Sequence, residues 1–160
     1  MTTAIPLRQS FGAAPASVAD AEPRGDPAAC SAPSGTRFSY RRKPCGGCPW
    51  RIDAPVGHFP PAAFRRLAGT AYDMARTYFA CHESGEDRPL VCAGFFLRGA
   101  EHNLRVRLDL MEGVVDRPSV HDGGHALHDD YRAMAEANGV DPDDPALAPC
   151  RASREAATRL

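Results

Sequence analysis

Apolar positions recur at helical spacing in two stretches of the chain. In 60–76, PPAAFRRLAGTAYDMAR, residues Phe64, Leu67, Ala68, Ala71, Tyr72 and Ala75 share one face, and the leading prolines suit a first helical turn. In 125–138, HALHDDYRAMAEAN, residues Leu127, Tyr131 and Met134 point inward and Gly139 supplies a stop. Between them, TYFA at 77–80 predicts a short extended segment and HESGEDR at 82–88 a polar loop. The run PLVCAGFFLRGA, 89–100, is apolar almost throughout and predicts a buried helix carrying Cys92. NLRVRLDLM, 103–111, fits both periods: Leu104, Val106, Leu108 and Leu110 alternate, while Leu104, Leu108 and Met111 fall at helical spacing. Its Leu and Met content favours helix. Residues 113–124 read as a loop, and 37–58 as irregular chain with tight turns at CGGCP and APVG. The predicted class is mainly α, with a small α+β fold as the variant.

Composition bounds the domain. Residues 1–36 are rich in Ala, Pro, Ser and Gly without periodicity, and are expected to form a disordered tail that includes Cys30. The folded unit is expected over 37–140, with 141–160 a turn-rich C-terminal tail containing Cys150. Much of the 43% hydrophobic content is alanine, which buries little area, so the core is small. That is the size class in which metals or disulfides supply missing stability. A formal charge of −1 points to no nucleic-acid or membrane partner for the chain as a whole.

No segment has the apolar length of a membrane span, and the opening residues lack a charged-then-apolar signal pattern. A cytoplasmic location is the expectation. Thiols there stay reduced, so six cysteines point to metal binding or catalysis before disulfides.

The chemistry centres on RRKPCGGCPWR, 41–51. Cys45 and Cys48 form a C-x2-C turn that can place two thiolates on one ion at little entropic cost. Gly46 and Gly47 allow the tight backbone and let amide N–H groups approach the sulfurs. Cys81 and Cys92, each next to patterned secondary structure, are the candidates that complete a four-thiolate set, C-x2-C-x32-C-x10-C. His82 and Trp50 are expected beside the ligands rather than on the ion. Four thiolates leave no open coordination position, so zinc, the favoured metal, would be structural. A 4Fe-4S cluster is the alternative, since proline beside a ligand cysteine, as at Pro49, also occurs in cluster ligation.

Two further readings stand beside this one. A Cys45/Cys48 dithiol oxidoreductase gains from Arg41, Arg42, Lys43 and Arg51, which would lower thiol pKa values. It lacks the strand-then-helix context of a thioredoxin-like motif. The same basic residues, interleaved with Phe38, Tyr40 and Trp50, form a short patch that could contact nucleic acid, although a solvated charge run explains it more simply. His121, His125 and His128 do not make a three-histidine site, because Gly123 and Gly124 interrupt the helix their spacing would need.

The combination CGGCPWR, FACHES and VCAGFFLRGAEHN resembles a family of small cysteine-containing proteins of bacteria and phages with no assigned activity, over roughly residues 40–110. The resemblance implies that Cys45, Cys48, Cys81, His82 and Cys92 belong to one pattern. The expectation is a non-enzymatic, metal-stapled module with a protein or nucleic-acid partner. A cluster-based redox protein or sensor, or the Cys45/Cys48 dithiol, is the alternative.

Overall fold

The computed structural model describes residues 39–152 except Glu86. The N-terminal tail with Cys30, and the end of the C-terminal tail, lie outside the described residues. Among the described residues, four α-helices occur in this order: α1 (Pro61–Leu67), α2 (Ala93–Arg98), α3 (Leu104–Met111) and α4 (Tyr131–Ala137). Short 3-10 turns follow α1 at Ala68–Ala71 and precede α4 at Arg117–Ser119. The longest helix has 8 residues, well below the roughly 12–15 at which an isolated helix begins to hold in water. Extended pairing among the described residues is limited to isolated bridges: Tyr40–Val91, Arg51–Leu127, Tyr72–Cys150 and Ala80–Val91. Regular backbone structure therefore contributes little by itself, and side-chain packing must hold the elements together.

That packing is built around Trp50, which is fully buried. Its ring meets Phe79 and Tyr131 edge-on at 5.7 and 5.8 Å between centroids, and lies 6.3 Å from Phe95. Phe79 stacks on Phe95 in turn. Helix α2 approaches the indole so closely that a Cβ on Gly94 would stand 2.5 Å from Trp50 Cβ, and one on Gly99 2.8 Å from Cζ2. The indole Nε1–H is buried without a hydrogen-bond partner, a cost of about 1–3 kcal/mol that ring burial must offset.

Two buried polar groups fix α3. Asn103 caps it, its side-chain oxygen accepting from the Val106 N–H, while its Nδ2 donates to the carbonyls of Thr70 (2.8 Å) and Thr77 (2.7 Å). Asp109 is fully buried; it accepts from the Tyr78 hydroxyl and pairs with Arg105 at 2.7 Å.

The mainly helical class agrees with the pattern of the sequence, but three helices are shorter than it predicts. The 60–76 helix stops at Leu67 and tightens to a 3-10 turn, because Tyr72 pairs with Cys150 and the chain then reverses at Met74, which has φ 61°. The 89–100 helix begins only at Ala93: Leu90 and Val91 are extended and paired, which leaves Cys92 at the N-cap. The 125–138 helix begins at Tyr131. Leu127 pairs with Arg51, and Asp130 caps the start by accepting from the Ala133 N–H. The ambiguous 103–111 segment is helix α3. Residues 141–150, expected as a tail, pack into the core instead: Leu147 is fully buried and Cys150 nearly so. No helix among the described residues is long and apolar enough to cross a membrane.

Two outcomes test this packing. Replacing a helical glycine by alanine normally gains up to roughly 1 kcal/mol. At Gly94 the clash with Trp50, typically about 1–3 kcal/mol for overpacking, reverses the sign, so Gly94→Ala should lower the urea midpoint; an unchanged or raised midpoint would contradict the close approach. Asp109→Ala removes the acceptor for the Tyr78 hydroxyl proton and should cost about 3 kcal/mol, the lower end for breaking a buried pair because the Arg105 side chain is partly exposed. A thermal melt within experimental error of the parent would refute it.

Candidate metal centre

Backbone pairing at Val91 brings the cysteine segments together. Val91 donates its N–H to the Ser39 carbonyl (3.0 Å) and accepts from the Arg41 N–H (2.9 Å), which fixes the approach to the C-x2-C turn. On its other side Val91 pairs with Ala80. The Cys81 N–H donates to the Leu90 carbonyl (2.7 Å) and the Cys92 N–H to the Phe79 carbonyl (2.9 Å). Ala80 and Val91 face one another, so the next residue on each segment, Cys81 and Cys92, turns to the opposite face of the pair. The turn itself is closed by the Cys48 N–H on the Cys45 carbonyl (3.3 Å) and the Arg51 N–H on the Cys48 carbonyl (3.0 Å).

The four sulfurs predicted as a set are neighbours, and all four cysteines are free and buried. Cys48 Sγ lies 3.7 Å from Cys92 Sγ, and the Cys45 thiol is near enough to those of Cys48 and Cys81 for each to shift its pKa. The contacts run as a string, Cys81–Cys45–Cys48–Cys92. It is open rather than a closed tetrahedron. Among the described residues, the set of three ligating side chains with donor atoms all within 4.8 Å of one another is Cys45, His82 and Glu83.

Electrostatics keep three of these thiols, Cys45, Cys48 and Cys81, protonated. The Cys48 contact raises the Cys45 thiol to about 12; Cys81 works in the opposite direction, and burial adds to the rise. At Cys48 the contact with Cys45 lowers the pKa, but the contact with Cys92 and burial outweigh it and the thiol moves up. Cys81 is raised by its contact with Cys45 and then by burial. This is the reverse of an activated dithiol, whose sulfurs are partly exposed and shifted down. A divalent cation at the same point would invert the balance, since a coordinated thiol is deprotonated outright.

His82 sits closer than adjacency to Cys81 suggests: its Nε2 is 3.1 Å from Cys45 Sγ, and burial holds its pKa down. Gly47 leaves room for it, since a Cβ there would stand 3.3 Å from the imidazole Cε1. Glu83, which sequence reasoning passed over as a loop residue, accepts from the Gly46 N–H (3.2 Å) and pairs with Arg41 (3.0 Å). The signal available was its place directly after Cys81 and His82. Trp50 reaches the sulfurs through its backbone, which hydrogen-bonds to the Cys48 thiol, while its ring belongs to the aromatic core.

The basic residues divide. Arg51 pairs with Asp53 at 2.6 Å and donates to the carbonyls of Cys45 (3.2 Å) and Gly46 (3.1 Å), bracing the turn. Arg41 is held by Glu83, while Arg42 and Lys43 are exposed. The three histidines do not converge: His125 faces Asp53 (3.6 Å), His121 accepts from the Gly123 N–H, and the His128 N–H donates to the Trp50 carbonyl. The Cys150 thiol lies 3.9 Å from the carbonyls of Ala68 and Ala146, and burial raises it to about 11.

Chemically, the arrangement offers four soft donors in a dry interior, with a nitrogen and a carboxylate on its outer side. Comparison with curated proteins and with solved structures gave no match. The chain belongs to DUF6283, a family of unknown function, whose model matches residues 40–151.

Proposed function

We propose that this chain is a small metal-stapled module in which Cys45, Cys48, Cys81 and Cys92 hold one structural zinc ion as thiolates. The observation that carries the reading is the 3.7 Å separation of the Cys48 and Cys92 sulfurs, 44 positions apart in sequence. A tetrahedral zinc with Zn–S bonds of about 2.3 Å has sulfur–sulfur edges of about 3.8 Å. A multi-iron cluster spaces its cysteine sulfurs more widely, because several irons lie between them. Closing the string around one ion requires its two ends, Cys81 and Cys92, to draw in.

The ion's role in this reading is mechanical. It ties the C-x2-C turn to the two segments of the Ala80–Val91 bridge in a fold whose helices are too short to stand alone. With all four positions taken by sulfur, no site remains for a substrate, so the module acts through its surface rather than by catalysis. Of the basic residues around the C-x2-C turn, Arg42 and Lys43 are the exposed ones and would meet a partner.

Apparent binding energies of structural zinc in small domains, about 10–16 kcal/mol at neutral pH, match or exceed the roughly 5–15 kcal/mol by which domains are stable. Losing the ion should therefore unfold this one. Purified protein should be colourless and carry one zinc per chain by elemental analysis. Cys48→Ala should lose both the ion and the helical circular dichroism, while Cys150→Ala should keep the ion. Full zinc and an unchanged spectrum in Cys48→Ala would overturn the ligand set.

A further inference from the structure

An ion enclosed by four buried sulfurs must enter and leave by some route. Cys45 is the one member of the string that also belongs to a second set of donors. Its sulfur, His82 Nε2 and a Glu83 carboxylate oxygen lie within 4.8 Å of one another. Accessibility rises outward through the set: Cys45 is buried, His82 is half-buried and Glu83 is exposed. Sulfur, imidazole and carboxylate together suit a zinc-class cation, and three donors leave a position for water. Neither His82 nor Glu83 is a ligand of the inner zinc in the four-thiolate set.

We propose that Cys45, His82 and Glu83 form an outer acceptor site for a second divalent cation of the zinc class, through which the inner ion is exchanged. The inference rests on the four-thiolate reading. A zinc held by four thiolates carries a net charge of −2, which attracts another cation to this side despite Arg41. The incoming ion takes a lone pair of the Cys45 thiolate together with His82 and Glu83. Cys45 then bridges the two ions. As the newcomer acquires the remaining sulfurs, the resident ion loses them and departs through the same outer donors. One divalent ion enters and one leaves, with no change in oxidation state and no net proton transfer. Glu83 must give up part of its hold on Arg41 and the Gly46 N–H, which keeps the outer site weak and the second ion transient.

The test is isotope exchange on the folded, zinc-loaded protein, with 67Zn2+ as the incoming ion and intact-protein mass spectrometry as the readout. In the parent protein, exchange should accelerate with free zinc concentration. Glu83→Gln, which keeps an oxygen for the Gly46 N–H, and His82→Ala should each exchange at least tenfold more slowly, at rates nearly independent of free zinc. Their zinc stoichiometry should be unchanged. Glu112→Gln, on the exposed end of α3, should behave as the parent. Parent rates independent of free zinc, or variant rates within twofold of the parent, would overturn the outer site while leaving the inner one standing. Loss of the bound zinc from His82→Ala, with a nitrogen at about 2.0–2.1 Å from the parent's zinc by X-ray absorption, would make His82 a resident ligand and would also overturn it. If the parent protein carries no zinc on four sulfurs, the four-thiolate reading falls, and the outer site with it.

Discussion

The contact between the Cys45–Cys48 turn and the cysteines flanking the Ala80–Val91 bridge joins segments that the backbone pairs only briefly, through the bridges at Val91. A single bridge pair contributes few hydrogen bonds, and helices of six to eight residues have little stability of their own. In the proposed metal-loaded form, one ion converts three weak local arrangements into one closed loop of covalent chain and coordinate bonds. The cost lies in three thiols, Cys45, Cys48 and Cys81, that burial and mutual contact drive toward the protonated state. An ion bound at that point would remove it by taking the protons' place.

The aromatic core depends on the same turn. Trp50 follows Cys48 by two residues, and its backbone hydrogen-bonds to the Cys48 sulfur, so the turn that positions the thiols also delivers the indole between α2 and Tyr131. Arg51, next in sequence, braces the turn from outside through the carbonyls of Cys45 and Gly46. Sulfur site and hydrophobic core are thus two sides of one short segment. Disturbing either is felt by the other, which explains why glycines at 94 and 99 line the indole even though one of them weakens a helix.

How much of this was legible in the sequence follows from which forces act locally. The C-x2-C turn and the grouping of Cys81 and Cys92 with it could be read from residue type and spacing, because thiols in patterned segments have few other roles in a reduced chain. Helix α3 fitted both the strand and the helix period, and only its composition favoured helix. Helix ends were read poorly. Apolar runs at 89–100 and 125–138 look continuous, yet Val91 and Leu127 are drawn into bridges by partners far along the chain, and Asp130 starts α4 where a local pattern gave no sign of a break. The burial of Leu147 and Cys150 was invisible for the same reason: a stretch of Asp and Pro reads as solvated until its tertiary neighbours are known. Glu83 joined the site only through a turn that folds its carboxylate back onto Gly46.

X-ray absorption at the zinc edge of the purified protein tests the central claim most directly, because it reads ligand type and distance without regard to function. The account predicts a single shell of four sulfurs at about 2.3 Å. A shell containing nitrogen or oxygen at about 2.0–2.1 Å, or protein that holds no zinc at all, would contradict it.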